Sequence, residues 1–290
     1  MKEFRPRHVL AATDFSADSV LALRYAEAIA SHCGSDSTLV HAHTFEPPLE
    51  FMSSQVDRLA AQVDRDRAAL RQYIEQHTEA ALGPEPAIRP FISLVEAPPT
   101  QAIIDEATRV NADLIVMGTH GRSGFNRLLM GSVAENVTRL ATCPVLTVRR
   151  AGPNVDPVTA PVRLRRVLAP LNDTPAAMLA AETACALFRC MDGELTVLHI
   201  VEPGAPTPKA ELPWIPEALR NRCSFRTEIR TGNAAEQIVR VASEQAADVV
   251  VIGAQHKPFL DATVFGSTTV RVMRHSPCPV LIVPAHPERG

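Results

Sequence analysis

The chain has 290 residues, a formal net charge of −3 and a hydrophobic fraction of 46%, values that are ordinary for a globular protein and argue against a basic nucleic-acid binder. This length is long for a single core and favours two domains. No apolar run reaches the ~20 residues that a membrane-spanning helix needs. Neither nucleic acid nor a membrane is therefore expected as a partner.

The six cysteines and the start of the chain indicate a cellular compartment. The cysteines show no Cys-x-x-Cys spacing, and scattered cysteines in a chain without an export signal are most simply reduced and structural. The charged segment 1–7 leads directly into an apolar strand, so no signal peptide is expected. The sequence therefore predicts a cytoplasmic protein.

Apolar and amphipathic segments alternate along the first half of the chain. Strands are expected near 7–13, 37–43, 87–93, 113–118 and 144–148, and helices near 16–33, 52–81, 98–110 and 132–141. The strands are apolar and rich in β-branched residues, as expected when both faces of a sheet are covered. The helices carry apolar residues at i, i+3 and i+4. This alternation predicts a parallel sheet with right-handed crossovers.

A glycine motif at the end of the fourth predicted strand points to a function. It reads Gly-x2-Gly-x9-Gly-Ser and consists of Gly118, Gly121, Gly131 and Ser132. Ligands of open parallel sheets bind beyond the carboxyl ends of the strands, where the strand order reverses. Asp14 follows the first strand and is expected at the same edge. Glycines let backbone N–H groups turn toward a ligand where a Cβ would clash.

The end of the motif predicts the start of a helix. Ser132 with Glu135 three residues later forms a capping-box pattern, which makes Ser132 the expected N-cap. A helix N-terminus beside a glycine loop is a ready anion site, so the motif predicts a phosphate cradle. The sequence contains neither Gly-x4-Gly-Lys-Ser/Thr nor Gly-x-Gly-x-x-Gly. A Walker-type loop and an ordinary dinucleotide site are therefore not expected.

The sequence also contains an internal repeat, the kind of signal that decides domain organisation. The matching segments are 9–14 with 167–172, 38–41 with 196–199, 112–114 with 247–249, 131–132 with 266–267, and 143–146 with 278–281. The offset falls from 158 to 135 along the chain, so the second copy lacks 23 residues. We therefore predict two copies of one domain, at residues 1–150 and 163–290, joined by a proline-rich, semi-rigid linker.

With these motifs the chain resembles a tandem universal stress protein. Nucleotide-binding members of that family carry Gly-x2-Gly-x9-Gly-Ser/Thr, which the first copy has in full. The resemblance implies an α/β fold of two tandem Rossmann-like (adenine nucleotide alpha hydrolase-like) domains. Each would be a five-stranded parallel sheet of order 3-2-1-4-5 with helices on both faces. It also implies that the domains pair through their last strands as an intramolecular pseudo-dimer, and leaves a further homodimer open.

The resemblance implies ATP as the ligand, with Mg²⁺ on its phosphates. The nucleotide-binding positions would be Ala12, Asp14, Val40, Met117, Gly118, Gly121, Arg122, Gly131, Ser132 and Val133. Val40 would pack on adenine, and Asp14 would lie by the nucleoside. His120, inside the motif, is interpreted either as a group that polarises a water molecule or as a polar loop residue.

Other interpretations stand beside these roles. Asp14 could serve only to turn or cap the chain before the first helix. Arg122 and Arg127 could meet phosphate or be solvated surface. His41 and His43 fall on one strand face, but a metal pair would need further ligands, so core or edge histidines are the preferred interpretation.

The second copy departs from the motif. His256 replaces Gly121, and Asn172 replaces Asp14. A side chain at the glycine position would crowd the phosphate loop, and an amide lacks the charge of the carboxylate. We therefore expect the second domain to bind ATP weakly or not at all, and to act as a partner of the first.

Three functions are compatible with the sequence. The preferred one is an ATP-binding stress or regulatory module. The alternatives are a slow ATP hydrolase at the same site and a scaffold that acts through protein contacts without nucleotide. The motif offers one hydroxyl, Ser132, beside one acid, Asp14, and its loop has no lysine. Because this is too little for brisk phosphoryl transfer, no catalytic residue is assigned.

Overall fold

The computed structural model describes residues 5–43, 56–121, 130–152, 154–189, 191, 193–201, 215, 220–221, 223–257, 262–264 and 266–285. The first half contains β1 (His8–Ala12), α1 (Ala17–Cys33), β2 (Asp36–His43), α2 (Val56–Leu82), β3 (Phe91–Glu96), α3 (Pro99–Arg109), β4 (Leu114–Gly118), α4 (Ser132–Leu140) and β5 (Val145–Val148). The second half contains β6 (Arg166–Pro170), α5 (Pro175–Arg189), β7 (Glu194–Val201), β8 (Phe225–Thr231), α6 (Ala234–Glu244), β9 (Val249–Lys257), β10 (Ala262–Val264), α7 (Ser267–His275) and β11 (Val280–Ala285). In these parts of the chain, no helix is both long enough and apolar enough to span a membrane.

One sheet runs through both halves. Its strand order is β3-β2-β1-β4-β5-β11-β9-β6-β7-β8, with β10 paired to β9 at the side. Within each half the five strands are parallel and follow the order 3-2-1-4-5. The α/β fold with two five-stranded parallel units, predicted from the sequence, is confirmed.

The two halves meet at an antiparallel pair of strands, β5 and β11. The partners are Val280 with Thr147, Leu281 with Leu146, and Ile282 with Val145. Leu146 and Leu281 occupy the same position in the repeat and face each other. The junction is therefore symmetric about this pair, as in an interface between two identical subunits.

Helices cover both faces of the sheet. On one face, α1 and α5 share a single cluster of buried residues that runs through both halves. On the other face, α3 and α4 cover one cluster and α6 and α7 cover a second. Met130, just before the last glycine of the motif, packs against both of these clusters. The halves are thus joined through side-chain packing as well as through strand pairing.

The repeat extends to individual contacts. Asp113 Oδ2 accepts hydrogen bonds of 2.7 and 3.1 Å from two main-chain N–H groups at the start of β1. Asp248 Oδ2 accepts bonds of 3.0 and 2.8 Å at the start of β6. Cys143 and Cys278 are a second matched pair, and burial raises the pKa of their thiols to about 12 and about 11. The five described cysteines are free thiols, and Cys190 lies outside the described residues.

The prediction for the third strand was wrong at its start. A strand was expected over 87–93, whereas β3 spans Phe91–Glu96. Pro90 has no N–H for the ladder, and the chain before it is a turn in which Arg89 Nη2 donates to the Pro84 carbonyl at 2.9 Å. The predicted helix 52–81 is present as α2, and residues 52–55 lie outside the described part of the chain.

Two glycines allow a helix to rest directly on a strand. A Cβ on Gly118 would lie 2.8 Å from the main-chain nitrogen of Ser19, in the first turn of α1. A Cβ on Gly253 would overlap the carbonyl oxygen of Ala176, in the first turn of α5. Both contacts are shorter than real Cβ contacts, so a glycine at each of these strand positions is required by the fold itself.

Gly253→Ala is expected to lower the free energy of unfolding by about 3 kcal/mol, because its Cβ would overlap backbone that cannot move freely. Gly266→Ala is the matched control, since a Cβ there meets no atom within 4 Å, and we expect a change of at most about 0.5 kcal/mol. Urea unfolding followed by circular dichroism measures both. Equal stability of the two variants would contradict this account of the helix–strand contact.

Candidate functional site

A cavity of about 360 Å³ lies at the carboxyl ends of β1, β2 and β4. Because β1 and β4 are the strands between which the order reverses, this is the position where ligands of such sheets bind. Its lining contains nine of the ten predicted site residues, namely Ala12, Asp14, Val40, Met117, Gly118, Gly121, Gly131, Ser132 and Val133. Arg122, like Arg127, lies outside the described residues. The structure thus gathers the described candidates in one place, and their role in nucleotide binding stays a prediction.

The lining of the cavity combines an apolar wall with glycine backbone. Val40, Met117 and Ile103 belong to one apolar cluster and form this wall, and Pro99 is also part of the lining. Pro99 and Ile103 were not predicted as site residues, because they belong to α3 and lie outside the glycine motif. The topology could have indicated them, because every strand-to-helix junction of a parallel sheet lies at this edge.

Asp14 serves the local turn and the cavity together. Its Oδ1 accepts a hydrogen bond of 3.0 Å from the N–H of Ser16, the N-cap of α1. Its Oδ2 would lie 2.7 Å from a Cβ on Gly121. The turn-forming interpretation is therefore correct for one oxygen, while the carboxylate also lies against the glycine loop.

The residue after Asp14 has a strained backbone. Phe15 has φ 64°, in the left-handed region that a bulky residue rarely adopts. Its ring centroid lies 4.5, 4.9 and 5.2 Å from those of His41, Tyr73 and His77. These ring contacts from β2 and α2 hold Phe15 in place and so fix the path of the chain at Asp14.

His41 makes a structural contact at the end of β1. His41 Nδ1 lies 2.8 Å from the carbonyl oxygen of Thr13 and donates to it. His199, its counterpart in the second half, makes the same contact with the Leu171 carbonyl at 3.0 Å. The described residues contain no group of three His, Cys, Asp or Glu side chains placed to hold a metal ion.

The capping box predicted at Ser132 was wrong. Gly131 is the N-cap (φ −63°, ψ 145°), Ser132 is the first helical residue, and no side chain caps α4. Gly131 N–H donates to the Thr119 carbonyl at 2.8 Å. This hydrogen bond holds Gly131 at the N-cap position, one residue before the expected N-cap. Glu135 pairs with Arg139 at 2.7 Å instead. Within the described part of the chain, no side chain therefore caps the first-turn N–H groups of α4 beside the cavity.

A buried carboxylate lies directly behind the glycine loop. The side chain of Asp18 is 8% exposed, and its Oδ1 lies 3.1 Å from Arg150 Nε. Its Oδ2 lies 3.3 Å from His120 Nδ1 and accepts a hydrogen bond of 3.4 Å from Thr119 Oγ1. We call these four residues the Asp18 network. The sequence analysis missed it, because an acidic residue in the first turn of a helix is common and needs no partner.

The matching edge of the second half has a different course. β9 continues past Gly253 to Lys257 and pairs antiparallel with β10, whereas β4 ends at Gly118. The resulting hairpin lies against α4 of the first half. Asn172 Oδ1 accepts hydrogen bonds from the N–H and Oγ of Thr174 at 3.2 and 2.6 Å, so its amide serves the local turn.

Comparison with known proteins identifies relatives of both halves. The model of the universal stress protein family matches residues 6–149 and 163–284. A universal stress protein of Methanocaldococcus jannaschii is 49% identical over 57 residues, which cover 20% of this chain and 34% of that protein. One from Thermus aquaticus is 32% identical over 141 residues, covering 49% and 97%. The crystal structure of a universal stress protein from Archaeoglobus fulgidus, 22% identical, aligns with 97% of this chain and 99% of its own at a TM-score of 0.71. That structure shares the fold across both halves.

Replacing Phe15 by glycine and by alanine separates backbone strain from ring packing. Both variants lose the ring contacts, but only glycine adopts a left-handed φ without steric cost. We therefore expect Phe15→Gly to be more stable than Phe15→Ala by about 1 kcal/mol, measured by urea unfolding. At the control position, Phe91, the exposed first residue of the edge strand β3, the order should reverse because glycine weakens a strand. A more stable alanine variant at position 15 would show that the backbone there is unstrained.

Proposed function

Because the chain belongs to the universal stress protein family, we propose that it binds ATP in the cavity of its first half and acts as a nucleotide-responsive stress module. The observation that carries the proposal is the meeting, at one sheet edge, of an apolar wall, a glycine loop and an uncapped helix N-terminus. An apolar pocket with a few convergent polar groups is the usual form of a small-molecule site.

The apolar wall suits the base of the nucleotide. Val40 and Met117 are almost fully buried at the carboxyl ends of β2 and β4, and Ile103 of α3 completes this side. A flat aromatic base gains from contact with such side chains because apolar surface leaves water. Asp14 lines the same cavity against Gly121 of the glycine loop, where it would meet the ribose that connects base and phosphates.

The glycine loop suits the phosphates. Gly131 has room for hydrogen but little for a side chain, since a Cβ there would lie 3.1 Å from the Thr119 carbonyl oxygen. The N-terminal N–H groups of α4 and the helix dipole favour an anion beside Ser132. Mg²⁺ would enter on the phosphate oxygens, since Asp14 is the single acidic residue among the described residues that line the cavity. Such limited protein ligation is common for Mg²⁺ bound with a nucleotide.

We further propose that the second half acts as the permanent partner of the first, in an intramolecular pseudo-dimer. β5 and β11 pair at the centre of the sheet. Arg149 reaches across and donates hydrogen bonds of 3.0 Å each to the carbonyls of Arg274 and Ser276 at the end of α7. The proposal includes a cytoplasmic location, where ATP is available and thiols stay reduced. It does not require a further homodimer.

Nucleotide content tests the site. Protein purified without added nucleotide is denatured, and the released nucleotide is quantified by chromatography. We expect about one ATP per chain, lost in Gly131→Val because the branched side chain would collide with the Thr119 carbonyl. Gly266→Val is the matched control at the corresponding position of the second half and should keep the nucleotide. Two ATP per chain would overturn the assignment of the second half, and no binding even of added ATP with Mg²⁺ would favour the scaffold alternative.

Phosphate release tests the alternative of slow hydrolysis. The lining formed by the described residues contains one acid and no lysine, so ATP should remain intact in the complex. We expect phosphate release from ATP with Mg²⁺ to be equally slow for the natural protein and for Ser132→Ala. Release that is clearly faster in the natural protein than in this variant would establish a hydrolase.

A further inference from the structure

The two halves of the chain form an internal comparison for the Asp18 network. They share strand order, helix placement and the glycine that lets a helix rest on a strand. The residues of the network nevertheless have no charged counterpart in the second half. Ala176 stands for Asp18, Ala254 for Thr119, Gln255 for His120, and Ala285 for Arg150.

The second half shows that this fold does not need the network. Ala176 and Ala254 are buried at the same helix–strand contact, 6% and 3% exposed, and α5 packs on the sheet there as α1 does in the first half. Burying an ionised carboxylate is costly unless it is paired and hydrogen-bonded, and apolar side chains often replace a buried ion pair without loss of stability. The network therefore has a purpose other than closing this contact.

The contacts of the network with the glycine loop indicate its role. Thr119 and His120 connect Gly118 to Gly121, and both line the cavity. Asp18 holds their side chains. Their carbonyls are held as well: Ser16 Oγ donates to the His120 carbonyl at 3.1 Å, and Gly131 N–H donates to the Thr119 carbonyl. The loop is thus fixed through both its side chains and its main chain.

Arg150 fixes Asp18 in turn. Its Nε lies 3.1 Å from Asp18 Oδ1, and its main-chain N–H donates to the same oxygen at 3.4 Å. Arg150 follows β5, the strand that pairs with the second half. Neither Asp18 nor Arg150 belongs to the cavity lining, so both would act on a ligand only through the loop.

We propose that Asp18 and Arg150 are positioning residues of the nucleotide site, and that their buried ion pair holds the Thr119–His120 segment in the conformation that presents loop N–H groups to phosphate. The inference rests on the ATP binding proposed above. It explains why the network and the complete glycine motif occur together in the first half and are absent together from the sequence of the second.

Single and double variants separate positioning from stability. Arg150→Ala leaves a buried carboxylate without its guanidinium and should lower the unfolding midpoint. Asp18→Ala/Arg150→Ala reproduces the composition of the second half, so the midpoint should recover. The dissociation constant for ATP, measured by calorimetry, should still be about tenfold larger in the double variant than in the natural protein. Such an effect is typical of losing a group that orients a ligand-binding residue. Arg149→Ala, one residue away, should leave the dissociation constant unchanged.

The outcomes distinguish this inference from the proposed function. If the double variant recovers both stability and ATP affinity, the ion pair is merely structural and the inference is wrong. If the natural protein binds no ATP, the proposed function fails, and amide hydrogen exchange still tests positioning. Exchange at residues 119–121 should then be faster in the double variant than in the natural protein, while residues 250–254 serve as the unchanged reference. Equal exchange at residues 119–121 would overturn the inference.

Discussion

The structure depends on a contact with no side chain in it, the first turn of a helix resting on a glycine of a strand. At Gly118 the backbone of α1 lies where a Cβ would be, and at Gly253 the backbone of α5 does the same. This contact sets the depth at which each helix sits and therefore which of its side chains reach the sheet edge. In the first half it brings Asp18 against the loop that follows β4. In the second half it brings only Ala176 there.

Because of this contact, not every glycine of the motif is evidence for a ligand. The sequence pattern predicts that Gly118 binds phosphate, yet the fold requires a glycine at this position whether or not a ligand is bound. Gly121 and Gly131 carry the stronger functional argument, because their neighbours are Asp14 and the Thr119 carbonyl at the cavity. Gly118 shares its packing role with Gly253 of the second half, whereas Gly121 has no glycine counterpart there, since His256 stands at that position.

The sequence was sufficient for the architecture and for the gathering of the site. The repeat, the alternation of strands and helices, and the placement of Asp14 and the glycine motif at one sheet edge follow from periodicity, spacing and topology, whereas the strand order was implied by the resemblance to the family. The details that failed depend on contacts distant in the chain. Ser132 is not the N-cap of α4, because Gly131 takes that position and donates to the Thr119 carbonyl. The Asp18 network joins residues more than 100 positions apart. No local pattern in a single sequence records such pairings.

The seam between β5 and β11 has a consequence for how the protein responds to its own concentration. A single five-stranded unit would expose β5 as an open edge and would need a second molecule to cover it. Here the covering strand is part of the same chain, so the two halves meet at an effective concentration set by the tether. Dilution that would dissociate a pair of separate subunits leaves this junction intact. Among the described strands, the two ends of the ten-stranded path are β3 and β8.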